Sequence, residues 1–343
     1  MKGKCELRHV EHPDALPPFP VIDMHAHFGP LLLGDDYYES AYDTKRSCAL
    51  LREMGVERIF SLELVWDDAY DRLCRKLASS DGMILPVGSV DVFRAFEPDF
   101  EKTVFRTLRT LKAKGCVALK LWKDITLMGQ GRFGRNVRLD DPHFEPIWHA
   151  AEEVGLPVII HVADPPCFFR PITPENEHYT CLSQHPDWSF FRPGIPSFEE
   201  HMQMQENVIR NHPNTTFVVA HVGSYAENLA QVSDWMERYP NMCVDVAARL
   251  DQLGRQPYAA KAFIERFADR VLFGSDYEGR FDESRTRSFY HTHFRFFQTN
   301  DEYFDHPFPD MLGQWKIFGL GLDEPVLRKL YRDNAIRIFG LST

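Results

Sequence analysis

The sequence lacks the marks of several protein classes. It has no paired-cysteine spacing: its seven cysteines, Cys5, Cys48, Cys74, Cys116, Cys167, Cys181 and Cys243, are widely scattered and form no CxxC. Such an odd, dispersed set excludes a disulfide framework or a cysteine zinc site and fits a reducing compartment. It also lacks a long apolar run, and none approaches the ~18 residues of a membrane span. The opening MKGKCELRHVEHPDALPPFP has no apolar stretch of the kind a secretory leader carries, so a cytoplasmic protein is expected. Positive charge is in deficit. With 39 Lys and Arg against 50 Asp and Glu, the net charge of -11 argues against a nucleic-acid partner. The expected partner is a small-molecule substrate, with no nucleic acid and no membrane, and with a homodimer as the assembly considered. Low-complexity segments and clear internal repeats are absent too.

What is present is enough apolar residue, 44%, to bury a large core. A single α/β barrel reaches this length, so residues 1–343 are read as one domain. Short runs rich in β-branched residues alternate with longer stretches of helical spacing. Strands are expected at 19–25, 57–64, 83–91, 115–122, 156–161, 216–221, 242–246 and 270–276. Helices are expected near 43–55, 68–79, 97–114, 142–154, 198–212, 225–238, 256–268 and 324–339. Eight βα units predict a distorted (β/α)8 TIM-like barrel. Two long segments break the rhythm, 162–197 after strand five and 277–312 after strand eight, both rich in aromatics. Each leaves the catalytic face of such a barrel, so both are expected to be structureless inserted loops that act as lids.

The strand ends carry the chemistry. Strand one ends in His25-Ala26-His27, strand five in His161, strand six in His221 and strand eight in Asp276. In a parallel barrel these ends share one rim. Residues i and i+2 of a strand share a face, so His25 and His27 can both reach inward. Neutral imidazoles with one carboxylate suit a divalent ion such as zinc, which lowers the pKa of a bound water toward ~7. A second HxH, His291-Thr292-His293, follows no strand and is read as structural packing.

The runs VIDMHAHFG, IIHVADP, VVAHVGS and LFGSDY, in this order over about 20–340, resemble the amidohydrolase superfamily. The resemblance is strongest to the branch that includes aminocarboxymuconate-semialdehyde decarboxylase and several lactonases. It implies one divalent ion, zinc by expectation with manganese as alternative, held by His25, His27, His161 and Asp276. It also implies His221 as an acid/base or substrate-polarising group beside the ion. Catalysis is assigned to Asp276 and His221. In binuclear members a lysine at the position of Lys120 is carbamylated and bridges two metals. The neighbouring Trp122-Lys123-Asp124 departs from that pattern, so Lys120 is expected to contact substrate, as are Trp122 and Arg280. Glu63, Asp91, Asp245, Arg249 and Glu278 are further polar candidates at the same face, where acids often orient ligand histidines.

The expected reaction is hydrolysis of an ester, lactone or amide in a small cyclic substrate, aryl or sugar-derived, by a metal-activated water. The alternative is a metal-dependent decarboxylase of an unsaturated or aromatic acid. A non-catalytic binding protein ranks last, because an acid/base histidine beside a ligand set has little use in pure binding.

Overall fold

A computed structural model describes residues 6–8, 10–40, 42–127, 133–134, 136–309 and 311–342, so Cys5 lies outside the described residues. Eight parallel strands alternate with helices. They are β1 Val21–His27, β2 Val56–Leu62, β3 Ile84–Val87, β4 Leu119–Leu121, β5 Val158–Ile160, β6 Phe217–Val219, β7 Met242–Asp245 and β8 Val271–Leu272. The longer helices between them are α1 Thr44–Glu53, α2 Asp67–Leu77, α3 Phe100–Ala113, α4 Glu145–Val154, α5 Phe198–Asn211, α6 Leu229–Arg238 and α7 Pro257–Arg266. A short ninth strand, β9 Tyr277–Glu278, pairs with β1, and α8 Glu283–Gln298 follows it.

The strands form two arcs, β3-β2-β1 and β4 through β8. Hydrogen bonds cross both seams: Lys120 N donates to Gly88 O at 2.8 Å, and Met24 N donates to Phe273 O at 3.0 Å. The interior shows the (β/α)8 arrangement more directly. One apolar cluster contains Ile22, Met24, Phe60, Leu62, Val87, Ala118, Ile159, Val218, Cys243 and Leu272, with a contribution from every strand or its first flanking residue. Ala335 and Phe339 of the last helix plug it from below, the Phe339 ring 4.8 Å from that of Phe60. Side chains alternate along a strand, so the interior layer above this plug falls to Lys120, His161 and Asp245, each two residues beyond a plug residue.

Strand one reaches that layer differently. Its register against β2 passes from Asp23 opposite Ile59 to Ala26 opposite Ser61, so three steps on β1 match two on β2. This is a β-bulge, and one extra residue reverses the alternation. Ile22 and Met24 face the plug below the bulge, and His25 and His27 occupy the cavity above it.

Two expectations need correction. Strands five, six and eight stop short of the residues assigned to their ends. His161 follows Ile160 directly, His221 lies two residues past Val219, and Asp276 lies four past Leu272. The chain turns beyond β6 and β8, with φ 59° at His221 and 66° at Asp276. Segment 162–197 is not structureless, since it holds the short helix Tyr179–Gln184, and neither is segment 277–312. It contains the 16-residue α8, whose N-cap Asp282 accepts from Arg285 N. Thr286, Phe289, Tyr290, His293, Phe294 and Phe297 are buried at helical spacing. The density of aromatics and charges masked that periodicity. The free cysteines among the described residues form no disulfide.

Candidate metal centre and active site

His25, His27 and Asp276 converge. Their ligand atoms lie within 4.8 Å of one another. Asp276 Oδ1 is 3.2 Å from His27 Nε2 and 3.6 Å from His25 Nε2. The 3.6 Å contact is too long for a hydrogen bond. Two atoms each about 2.1 Å from one ion stand roughly 3–3.5 Å apart, and these spacings fit that geometry. Among the described residues, buried Asp276 Oδ1 and His161 Nε2 have no hydrogen-bond partner of good geometry, as donor groups awaiting an ion would be. The residues present therefore suit a divalent cation.

His161 stands beside this trio without sharing its spacing. Its ring packs 4.3 Å from that of His221, centroid to centroid, and its Nε2 is 3.5 Å from Asp164 Oδ1. Asp164 in turn pairs with Lys123, whose charge, with His161, holds that carboxyl well below its usual range despite burial.

The supports explain the geometry. Asp245 Oδ2 accepts from His25 Nδ1 at 2.8 Å, which leaves His25 Nε2 facing Asp276. Asp245 Oδ1 accepts from the backbone N–H groups of His221 and Ala247 at 2.8 and 3.1 Å. One carboxylate thus orients His25 and pins the turn that carries His221. Asp23 ties strand one to the end of strand eight, accepting from His25 N, Ser275 N and Tyr290 Oη. Burial pushes Asp23 up to about 7. Glu63 accepts from Phe28 N, Gly29 N and Leu31 N, and fixes the chain leaving His27. Gly29 is required there, since a Cβ would stand 2.6 Å from Glu63 Cδ. Gly274 is required for the same reason, its would-be Cβ lying 2.7 Å from His25 Cβ.

His221 occupies a strained turn, with φ 59° at His221 and 56° at Val222, a conformation that a β-branched residue rarely adopts. The turn aims the ring at the cavity, 4.9 Å from that of His25. Its Nδ1 lies 2.9 Å from Ala247 O. A carbonyl only accepts, so Nδ1 carries the proton and Nε2 of the neutral ring is bare. Burial, with the nearby His161 and Arg249, drives its pKa well below the ordinary value. Burial would raise Asp276, but the close contact with the His27 imidazole and the nearby His25 and His221 hold it well below the carboxylate range.

These groups floor a cavity of about 540 Å³. Lys120, Trp122 and Arg280, the expected substrate contacts, all line it. Lys120 is 1% exposed, and burial lowers its pKa to about 8 against the pull of Asp245, Asp276 and Glu63. Arg280 sits at the rim, paired with Glu278 at 2.5 Å. Of the other polar candidates, Glu63 and Asp245 support the site as described, Glu278 and Arg249 line the cavity, and Asp91 caps a turn outside it. The walls include Phe168, His178, Trp188, Phe190 and Arg192 from segment 162–197, and Phe308, Met311 and Leu312 from segment 277–312. Both inserted segments thus line the cavity. His178 had no signal in the sequence. It is 2% exposed, and neither ring nitrogen has a hydrogen-bond partner among the described residues.

His291 and His293 take no part. On a helix, positions two apart do not share a face. His291 Nδ1 meets Ala15 O, and His293 Nδ1 donates to Phe289 O inside an aromatic cage.

The amidohydrolase family profile matches residues 22–341. The chain belongs to the amidohydrolase family. Comparison with curated proteins finds no match to the sequence. Among solved structures this amidohydrolase is similar to 2,6-dihydroxybenzoate decarboxylase, complexed with 2,6-dihydroxybenzoate, at 17% identity and a TM-score of 0.55, covering 94% of this chain and 100% of that one. It is similar to 5-carboxyvanillate decarboxylase from Novosphingobium aromaticivorans, complexed with manganese, at 14% identity, TM-score 0.56 and coverage of 94% and 97%. It is also similar to 4-oxalomesaconate hydratase from Rhodopseudomonas palustris, at 14% identity, TM-score 0.52 and coverage of 93% and 95%. At such identities the likeness is one of fold. Among the described residues no helix is long and apolar enough to cross a membrane.

Proposed function

We propose that this family member is a metal-dependent hydrolase of a small cyclic ester, lactone or amide, with His25, His27 and Asp276 holding the ion and His161 completing the set. The observation that carries this reading is the bare Nε2 of His221 facing the cavity beside an ionised Asp276. When bound, a divalent ion, zinc or manganese, polarises oxygen and lowers the pKa of water toward ~7. The chain's own residues supply the rest. Asp276 accepts a hydrogen bond from the attacking water and aligns it. His221 begins unprotonated, so it takes the proton that the attacking water releases and returns it to the leaving group. In this reading His221 is a proton shuttle rather than the group that polarises the carbonyl from the outset. Lys120 offers a buried cation for an oxygen of the substrate. Trp122, Trp188 and Phe168 offer faces for a ring. Arg249, 6% exposed with no carboxylate of the described residues within ion-pair distance, offers donors to an anionic substituent.

The second reading is decarboxylation of an aromatic or unsaturated acid. It is favoured by the cations that line the cavity and would suit a carboxylate substrate. Product analysis decides. The metal-loaded protein is assayed on aryl esters, lactones and hydroxybenzoates in H2 18O. Hydrolysis incorporates one 18O into the acid product, and His221→Asn reduces it by about 10²–10⁴-fold with the ion retained. Release of CO2 without 18O incorporation overturns the hydrolase reading.

A further inference from the structure

A second cluster of ligand-type side chains lies outside the barrel mouth. Glu145 and His149 are one helical turn apart on α4, and His212 caps the end of α5. The ligand atoms of all three lie within 4.8 Å of one another. Glu145 Oε2 is 3.6 Å from His149 Nε2 and 3.4 Å from His212 Nε2. The His149 and His212 rings stand 5.8 Å apart.

These distances resemble those of the site in the barrel. They are long for charge-assisted hydrogen bonds, which close to about 2.7–2.9 Å. Side chains on a partly exposed surface are free to close to that distance when a hydrogen bond is all they make. They do suit three atoms arranged round one ion at about 2.0–2.2 Å. His212 is the second observation. It is 5% exposed and packs on Trp148, with ring centroids 6.0 Å apart. Its Nε2 is directed at Glu145 Oε2, 3.4 Å away. A packed imidazole aimed at that carboxylate is held in place before any ligand arrives. The other two groups are accessible, Glu145 at 38% and His149 at 60%, so an ion can enter.

The geometry points to a second divalent-cation site at Glu145, His149 and His212, of the His2Glu type that takes zinc or a similar borderline-soft ion. Two imidazoles and one carboxylate favour such an ion over calcium or magnesium, which prefer all-oxygen shells. The ion would staple the start of α4 to the end of α5, on a face separate from the cavity. The site does not depend on the proposed reaction.

The test is calorimetric titration of the metal-loaded protein with further Zn2+, paired with melting temperature. The wild type is expected to take up a second equivalent and to melt higher as Zn2+ is added, because an ion that binds only the folded chain stabilises it by mass action. His149→Ala, an exposed position, is expected to lose both effects while the first equivalent stays bound. Glu145→Gln is expected to weaken the second equivalent with the shape preserved. His143→Ala, an exposed histidine outside the cluster, is expected to keep both effects. No second equivalent in the wild type, or one that survives in His149→Ala and Glu145→Gln alike, overturns the site.

Discussion

At the scale of single residues, Asp245 does more than its position suggests. One oxygen orients His25 and the other holds the backbone N–H groups of the turn that carries His221. Both contacts are buried, so neither is weakened by water. Asp245→Asn keeps the shape but turns one acceptor into a donor, and its NH2 must then face either the imidazole or the backbone amides. We expect a fall of about 10–100-fold in affinity for the ion and in turnover, with a circular dichroism spectrum like that of wild type. Unchanged metal affinity would show that His25 is oriented by the bulge alone. Sequence reasoning placed Asp245 only as one of several acids at this face. Its two-sided role depends on a partner 220 residues away in the chain.

At the scale of elements, α8 shows how a helix can hide in a sequence. Its buried face is made of Thr286, Phe289, Tyr290, His293 and Phe294, and the aromatic residues and arginines between them blur the apolar stripe. The helix also gives a titration with a definite sign. His293 is fully buried against Phe273 and Phe289, and burial lowers its pKa from 6.5 to about 4. A group with a depressed folded pKa is neutral in the fold while the unfolded chain takes up a proton. Its contribution is fully present above pH 6.5 and is lost as pH falls through about 4. The loss is on the order of 3 kcal/mol. His293→Phe keeps a ring and removes the titration. Denaturant unfolding between pH 6.5 and 4 should therefore show a smaller loss of stability in the variant than in wild type. Parallel curves would mean that His293 stays accessible to protons in the fold.

At the scale of the whole molecule, the candidate centre joins elements from both arcs of the barrel. His25 and His27 come from β1, Asp276 lies beyond β8, and His161 and His221 follow β5 and β6. An ion bound across them links distant segments, and its removal should be felt globally. Treatment with a chelator is expected to lower the melting temperature, with recovery on adding Zn2+ or Mn2+. The stabilisation is about 2.7 kcal/mol at an ion concentration one hundred times Kd. His25→Ala and Asp276→Ala should melt at the chelated temperature whether or not metal is added. A chelator-insensitive wild type would show that the site does not hold the two arcs together.

Much of this protein follows from local chemistry. The alternation of β-branched runs with helical spacing determined eight βα units, because burial on both faces of a parallel strand demands apolar runs. The four motifs that resemble the amidohydrolases are contiguous in sequence, so the family was legible without a fold. The capping box of α5, with Ser197 and Glu200 bonded reciprocally, is equally local. The tertiary structure decided what depends on register and on distance through space. The bulge in strand one turns His25 and His27 into the same cavity that Lys120, His161 and Asp245 reach by simple alternation. One residue more or less on that strand reverses which side chains face inward, and no residue type announces it. The proton on Nδ1 of His221 is set by a carbonyl 26 residues away, in a turn that strand-end reasoning had drawn as ladder. The opening absence of CxxC excluded a cysteine metal site from the start. Only the folded chain showed which histidines share an ion's spacing.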